Sequence, residues 1–184
     1  MGGAAGAGVL FTWTAEDAAL AARSAQAAAA QTGASVPVFF TPREYATIVA
    51  LSDIIIPGDA QAPGAVLGGA PPFIDYIVSQ QPERQTALRG GLVWLDTECR
   101  RRFDKAFLEC ADADRRAVLD DIAWPAKARP EFSHGVRFFT TMRDLVATGF
   151  FSSRAGVAYL GYLGNRPAQW DGPPAEVLAR LGLQ

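Results

Sequence analysis

Histidine occurs once in the 184 residues, at His134, and cysteine twice, at Cys99 and Cys110. These scarcities exclude much. One His without HExxH, GxSxG or CxxC nearby leaves no ordinary metal set and no nucleophile–base pair. His134 stands in a stretch read as a loop before a helix, where a lone imidazole is ordinary surface or capping decoration. Two Cys are too few for a disulfide framework, and their spacing is not that of a zinc site. The net charge is -2, so no clustered positive field points to nucleic acid or anionic lipid. Arg100, Arg101, Arg102, Arg115 and Arg116 lie beside Asp and Glu, as on solvated helix faces. No apolar run approaches the ~20 residues of a membrane span. Alternating strand patterns and internal repeats are missing too. The glycines from Gly2 to Gly8 follow no strand and lack dinucleotide-loop spacing.

What is present is helix. Half the residues are apolar (49%), a composition that folds rather than stays disordered. "VPVFF" (36–40) is a short extended approach. In "TPRE", Thr41 is an N-cap, Pro42 opens the helix and Glu44 completes a capping box. Tyr45, Ile48, Leu51 and Ile55 follow at helical spacing until Pro57 and Gly58 stop them. Residues 57–72 read as a Pro/Gly-rich loop and 71–80 as a short helix. From Pro82 a long amphipathic helix carries Leu88, Leu92, Leu95, Cys99, Phe103, Phe107 and Cys110 on one stripe. Gly90 and Gly91 weaken it, kink it or admit a close neighbour. Further helices are expected over 112–124, with an Asp cap, over 136–149 with Gly149 as C-cap, over 152–162 and over 173–182. The paired carboxylates Asp112 and Asp114 suit a helix N-terminus through its dipole. The expectation is a single all-α helical domain with long Pro/Gly-rich loops at 57–72 and 163–173.

Two regions carry the remaining information. Residues 1–35 begin with a Gly/Ala apolar run and continue Ala-rich. They read as the remnant of an export signal or as an Ala-rich helix or tail, leaving 36–184 as the domain proper. Near the other end, "ATGFFSSRAGVAYLGYLGNRPAQW" (147–170) is dense in aromatics and glycine. Its Phe150, Phe151, Tyr159, Tyr162, Asn165 and Trp170 are candidates for a partner interface, with the domain's own core as the competing location for each aromatic. On one continuous helix Cys99 and Cys110 would stand about 16 Å apart. A disulfide needs Cα atoms within about 7 Å, so the two could not pair with each other while that helix stands. They are then either buried small hydrophobes or candidates for an intersubunit disulfide.

"TPREYATIVALSDIIIPGDAQAPGA", "PPFIDYIV", "RFFTTMRDLVATGFFSSRAGVAYLGYLGN" and "QWDGPP", in that order, resemble the gluconate 2-dehydrogenase subunit 3 family over roughly residues 38–174. The resemblance implies a small subunit that carries no cofactor or catalytic residue of its own. It implies a large partner subunit that binds FAD and oxidises a sugar, sugar acid or alcohol, with a cytochrome c subunit carrying haem c as onward electron acceptor. It also implies twin-arginine (Tat) export and a periplasmic location, held at the cytoplasmic membrane through the complex. The sequence departs from the pattern at "WDGPP", where family members tend to place a Cys after the Gly. Two other readings stand beside this one: an enzyme using the aromatic segment as a pocket, and an unrelated helical interaction or scaffold module.

Overall fold

The computed structural model describes residues 37–162, 173 and 175–182. Among them every regular element is helical: α1 (Pro42–Ile55), α2 (Gly64–Leu67), α3 (Ala70–Gln80), α4 (Pro82–Phe103), α5 (Asp112–Ala123), α6 (Ser133–Phe151), α7 (Arg154–Tyr159) and α8 (Ala175–Arg180). Short 3-10 turns lie at Phe107–Glu109 and Pro130–Phe132. The all-α fold read from the sequence is the fold observed. The N-terminal segment 1–35 and most of the loop expected at 163–173 lie outside the described residues.

The capping box at Thr41 forms as its residue types require. Glu44 N–H donates to the Thr41 hydroxyl at 3.3 Å, and Thr41 N–H donates to the Glu44 carboxylate at 2.8 Å. The short approach before it is held from outside. Asp75, buried in α3, accepts the backbone N–H groups of Val38, Phe39 and Phe40, the last two at 3.0 Å. Three amides with no helix or sheet partner are satisfied by one carboxylate.

α6 is the central helix and packs against α1 to α5 and α7. Phe138, Met142, Leu145, Val146 and Phe150 recur along it at three- and four-residue steps, and all five are buried. Their counterparts include Phe73, Ile74 and Leu95, in the same core cluster. Two glycines let neighbours approach. A Cβ on Gly91 of α4 would lie 2.0 Å from the Phe138 ring, so the ring occupies that space. Gly90, next to it, faces open space.

Four local readings are corrected. The stretch 57–72 is not all loop: it contains α2 and the start of α3, because Ala65 N–H returns to Ile56 O and Asp59 caps the amides of Gln61 and Ala62. Gly149 does not cap α6, which continues to Phe151. Instead its bare Cα lets α3 cross, and a Cβ there would be 3.0 Å from Ala70 Cα. His134 sits in the first turn of α6 rather than in a loop. Most consequentially, α4 stops at Phe103. Asp104 takes a left-handed conformation with φ 56°, which Asp tolerates better than most residues. Asp96 then accepts Phe107 N–H at 3.0 Å, and Arg115 donates to the carbonyls of Leu108 and Cys110. The chain turns back, and Phe107 and Cys110 enter the core by a different route from the helix expected.

Candidate partner-docking surface

The end of α6 makes a turn that divides its aromatics between inside and outside. Ser152 N–H closes the last turn onto Thr148 O at 3.1 Å. Ser153 then caps α7, accepting Gly156 N–H at 3.1 Å while its hydroxyl donates to Phe150 O. A Cβ on Gly156 would fall 2.1 Å from Phe150 O, so this packing of α7 on α6 requires glycine.

Phe150 is 1% exposed and belongs to the core, wedged beside Gly68, so it is not available to a partner. It supports the outer residues: Phe151 stacks edge-on with a centroid distance of 5.1 Å, and Tyr159 lies 6.4 Å away. Phe151 is 38% exposed, Tyr159 50% and Tyr162 61%. Leu160, which the sequence reading passed over, is 58% exposed in the same segment. Asn165 and Trp170 lie outside the described residues. The result is an exposed aromatic surface, backed by Phe150 at Phe151 and Tyr159, in which Arg154 is the one charged residue between Phe151 and Tyr162. Such side chains anchor interfaces by large buried area at low entropy cost.

Cys99 and Cys110 are both free and buried. The Cys99 thiol is pushed up to about 12, by burial first and then by Cys110, whose own Sγ hydrogen-bonds Lys105 O at 3.8 Å. The two residues do not share a helix, so the separation expected for one continuous helix does not apply.

A second concavity was missed by sequence reasoning. It lies between α4 and α6, has a volume of about 530 Å³, and is lined by Gly90, Gly91, Trp94, His134, Arg137 and Phe138 among others. Its sequence signal was the Gly90-Gly91 pair. His134 Nδ1 meets Arg137 Nη2 at 3.2 Å, and the described lining holds no carboxylate or thiol that would make the imidazole a general base or nucleophile activator. Among the described residues no three His, Cys, Asp or Glu side chains cluster as a metal site would need.

A family model for gluconate 2-dehydrogenase subunit 3 matches residues 42–172. The chain belongs to the gluconate 2-dehydrogenase subunit 3 family. The match takes in α1 to α7, including the Thr41-capped first helix, Asp75 and the exposed aromatics of α6 and α7. This subunit 3 domain is thus a member of a family named for one component of a multi-subunit dehydrogenase. No curated protein and no solved structure is significantly similar to it.

Proposed function

We propose that this chain is the non-catalytic small subunit of an FAD-dependent sugar, sugar-acid or alcohol dehydrogenase, and that it stabilises the flavin-bearing large subunit and assists its export to the periplasm. Membership of the subunit 3 family supports the reading. The observation that carries it is the surface of Phe151, Tyr159, Leu160 and Tyr162, all exposed, with Phe151 and Tyr159 backed by buried Phe150. A mostly apolar surface of this kind, with Arg154 the one charged residue between Phe151 and Tyr162, suits a permanent interface, where aromatic and Arg anchors are fully desolvated. FAD then resides in the large subunit, and haem c in a cytochrome c subunit that takes the electrons onward. The complex is held at the cytoplasmic membrane through those partners.

Co-expression tests the proposal. A candidate large flavoprotein is co-expressed with this chain and purified through a tag on the small subunit, and its flavin absorbance and dehydrogenase turnover are measured. The expected result is a coloured complex whose flavin content and exported amount collapse when the small subunit is omitted. A large subunit that folds, retains FAD and is exported equally well alone overturns it.

A further inference from the structure

The concavity between α4 and α6 shares no residue with the docking surface, and its walls are aromatic rings seated on glycines. A Cβ on Gly91 of α4 would lie 2.0 Å from the Phe138 ring of α6, and a Cβ on Gly135 of α6 would lie 2.4 Å from the Trp94 ring of α4. Each helix receives the other's ring at a position without a side chain. Trp94 also stands edge-on to buried Phe132, with centroids 5.9 Å apart. Rings packed in this way hold the groove open in advance of any ligand. Beside them a Cβ on Gly90 would meet nothing within 4 Å, so a lining position that could fill the space leaves it empty. The volume of about 530 Å³ is that of a small-molecule site.

The charge of the lining is one-sided. It contains Arg137 and no carboxylate. Arg137 makes no ion pair among the described residues, and its guanidinium donates to His134 Nδ1 at 3.2 Å. A guanidinium can only donate, so Nδ1 is the acceptor and the imidazole carries its proton on Nε2. Both side chains therefore retain N–H donors beside an apolar floor. One guanidinium with a neutral imidazole matches a single negative charge, and the planar fork of Arg matches a carboxylate. The floor of Trp94 and Phe138 rejects a hydroxyl-rich acid, whose hydroxyls would lose water without gaining partners. We propose that the α4–α6 groove binds a small monocarboxylate with an apolar body, its carboxylate on Arg137 and His134 and its hydrocarbon against Trp94, Phe138 and the open side of Gly90. The inference rests on this groove alone and stands or falls independently of the dehydrogenase assignment.

Octanoate is the probe, with 1-octanol and gluconate for comparison. The isotope-labelled full chain is titrated with each and followed by NMR, the indole signal being assigned through Trp94→Phe. The expected result is saturable shifts of the Trp94 indole N–H and the Gly91 amide with octanoate, with a Kd in the millimolar range or tighter. Octanol binds more weakly, and gluconate leaves these signals in place. Gly90→Leu, which adds a side chain at an exposed position, abolishes the octanoate shifts. Arg137→Gln, also at an exposed position, weakens octanoate about tenfold and leaves octanol unchanged. Absence of saturable shifts, octanol or gluconate binding as tightly as octanoate, or an octanoate affinity unchanged in Arg137→Gln overturns the proposal. So does a chain that sediments as a dimer and becomes monomeric in Gly90→Leu, because a second copy then fills the groove.

Discussion

Asp75 Oδ1 lies 3.0 Å from the amide nitrogen of Phe40, and the same carboxylate takes the amides of Phe39 and Val38. A side chain in the middle of α3 thus fixes the path by which the chain enters α1. The carboxylate also acts on Tyr45, whose phenol is raised above its ordinary 10.0 by burial first and by Asp75 second. Replacing Asp75 by Ala leaves the buried Phe40 amide and the part-buried Val38 and Phe39 amides without their acceptor and costs about 2–4 kcal/mol. Urea denaturation measures the loss. Spectrophotometric titration of Tyr45 in the variant shows its pKa moving back toward the ordinary value, since one of its two causes is gone.

Gly90 and Gly91 are expected to respond to alanine with opposite signs. At Gly90 a methyl meets nothing within 4 Å, so Gly90→Ala gains about 0.5–1 kcal/mol of helix stability. At Gly91 the methyl enters the Phe138 ring, so Gly91→Ala costs about 1–3 kcal/mol through overpacking. Thermal or chemical unfolding of the two variants side by side checks the pair. Equal effects would show that the α4–α6 contact is looser than described.

Glu98 makes stability depend on acid. Its carboxylate hydrogen-bonds Arg101 at 2.6 and 2.9 Å and also bonds Arg102, and these contacts hold its pKa down to about 2 against an ordinary 4.5. The folded-state value lies below the unfolded one. The stabilisation is therefore fully present above about pH 5 and is lost as pH falls from there toward 2. With the Arg101 head exposed to solvent, the amount is on the order of 2 kcal/mol. Glu98→Gln lowers the urea midpoint at pH 7 and flattens its decline over that acid window. A variant with an unchanged acid profile would remove Glu98 from the account.

The aromatic segment is expected to separate folding from docking. Phe150→Ala empties a fully buried ring site and costs about 3–5 kcal/mol. Tyr159→Ser and Tyr162→Ser change stability by about 0.5 kcal/mol or less, because both rings are at least half exposed. If the proposed interface is right, the two Tyr variants nevertheless lower recovery of the flavoprotein by the tagged small subunit tenfold or more. Wild-type recovery by a stable Tyr159→Ser/Tyr162→Ser chain would move the interface elsewhere on the surface.

Much of the fold could be read directly. Thr41, Pro42 and Glu44 announce α1 because capping is local chemistry between residues three apart. The helical face of α6 is visible as Phe138, Met142, Leu145 and Val146, because its period is set by backbone geometry. The motifs that place the chain in its family are likewise linear. The proposed docking surface was legible only as composition: "GFFSSRAGVAYLGY" shows aromatics and glycines, but not that Phe150 turns inward while Tyr159 and Tyr162 stay out. That division depends on how closely α7 approaches α6 across Gly156, a contact with no linear signature.

The cysteines mark the limit most clearly. Phe103, Phe107 and Cys110 continue the spacing of Leu88, Leu92, Leu95 and Cys99, so periodicity alone carries α4 to Cys110. A hydrophobic pattern states which residues must be buried, and a reversed turn buries Phe107 and Cys110 as fully as a longer helix would. The choice between them rests on side-chain hydrogen bonds at the reversal, Phe107 N–H donating to Asp96 and Arg115 donating to the carbonyls of Leu108 and Cys110, which an apolar period does not display. The sequence by itself determined helical class, caps and the apolar set, all of which follow from interactions within a turn or two of chain. Tertiary packing decided how Phe107 and Cys110 enter the core and which rings face solvent, because those outcomes depend on contacts between segments that helical periodicity does not couple.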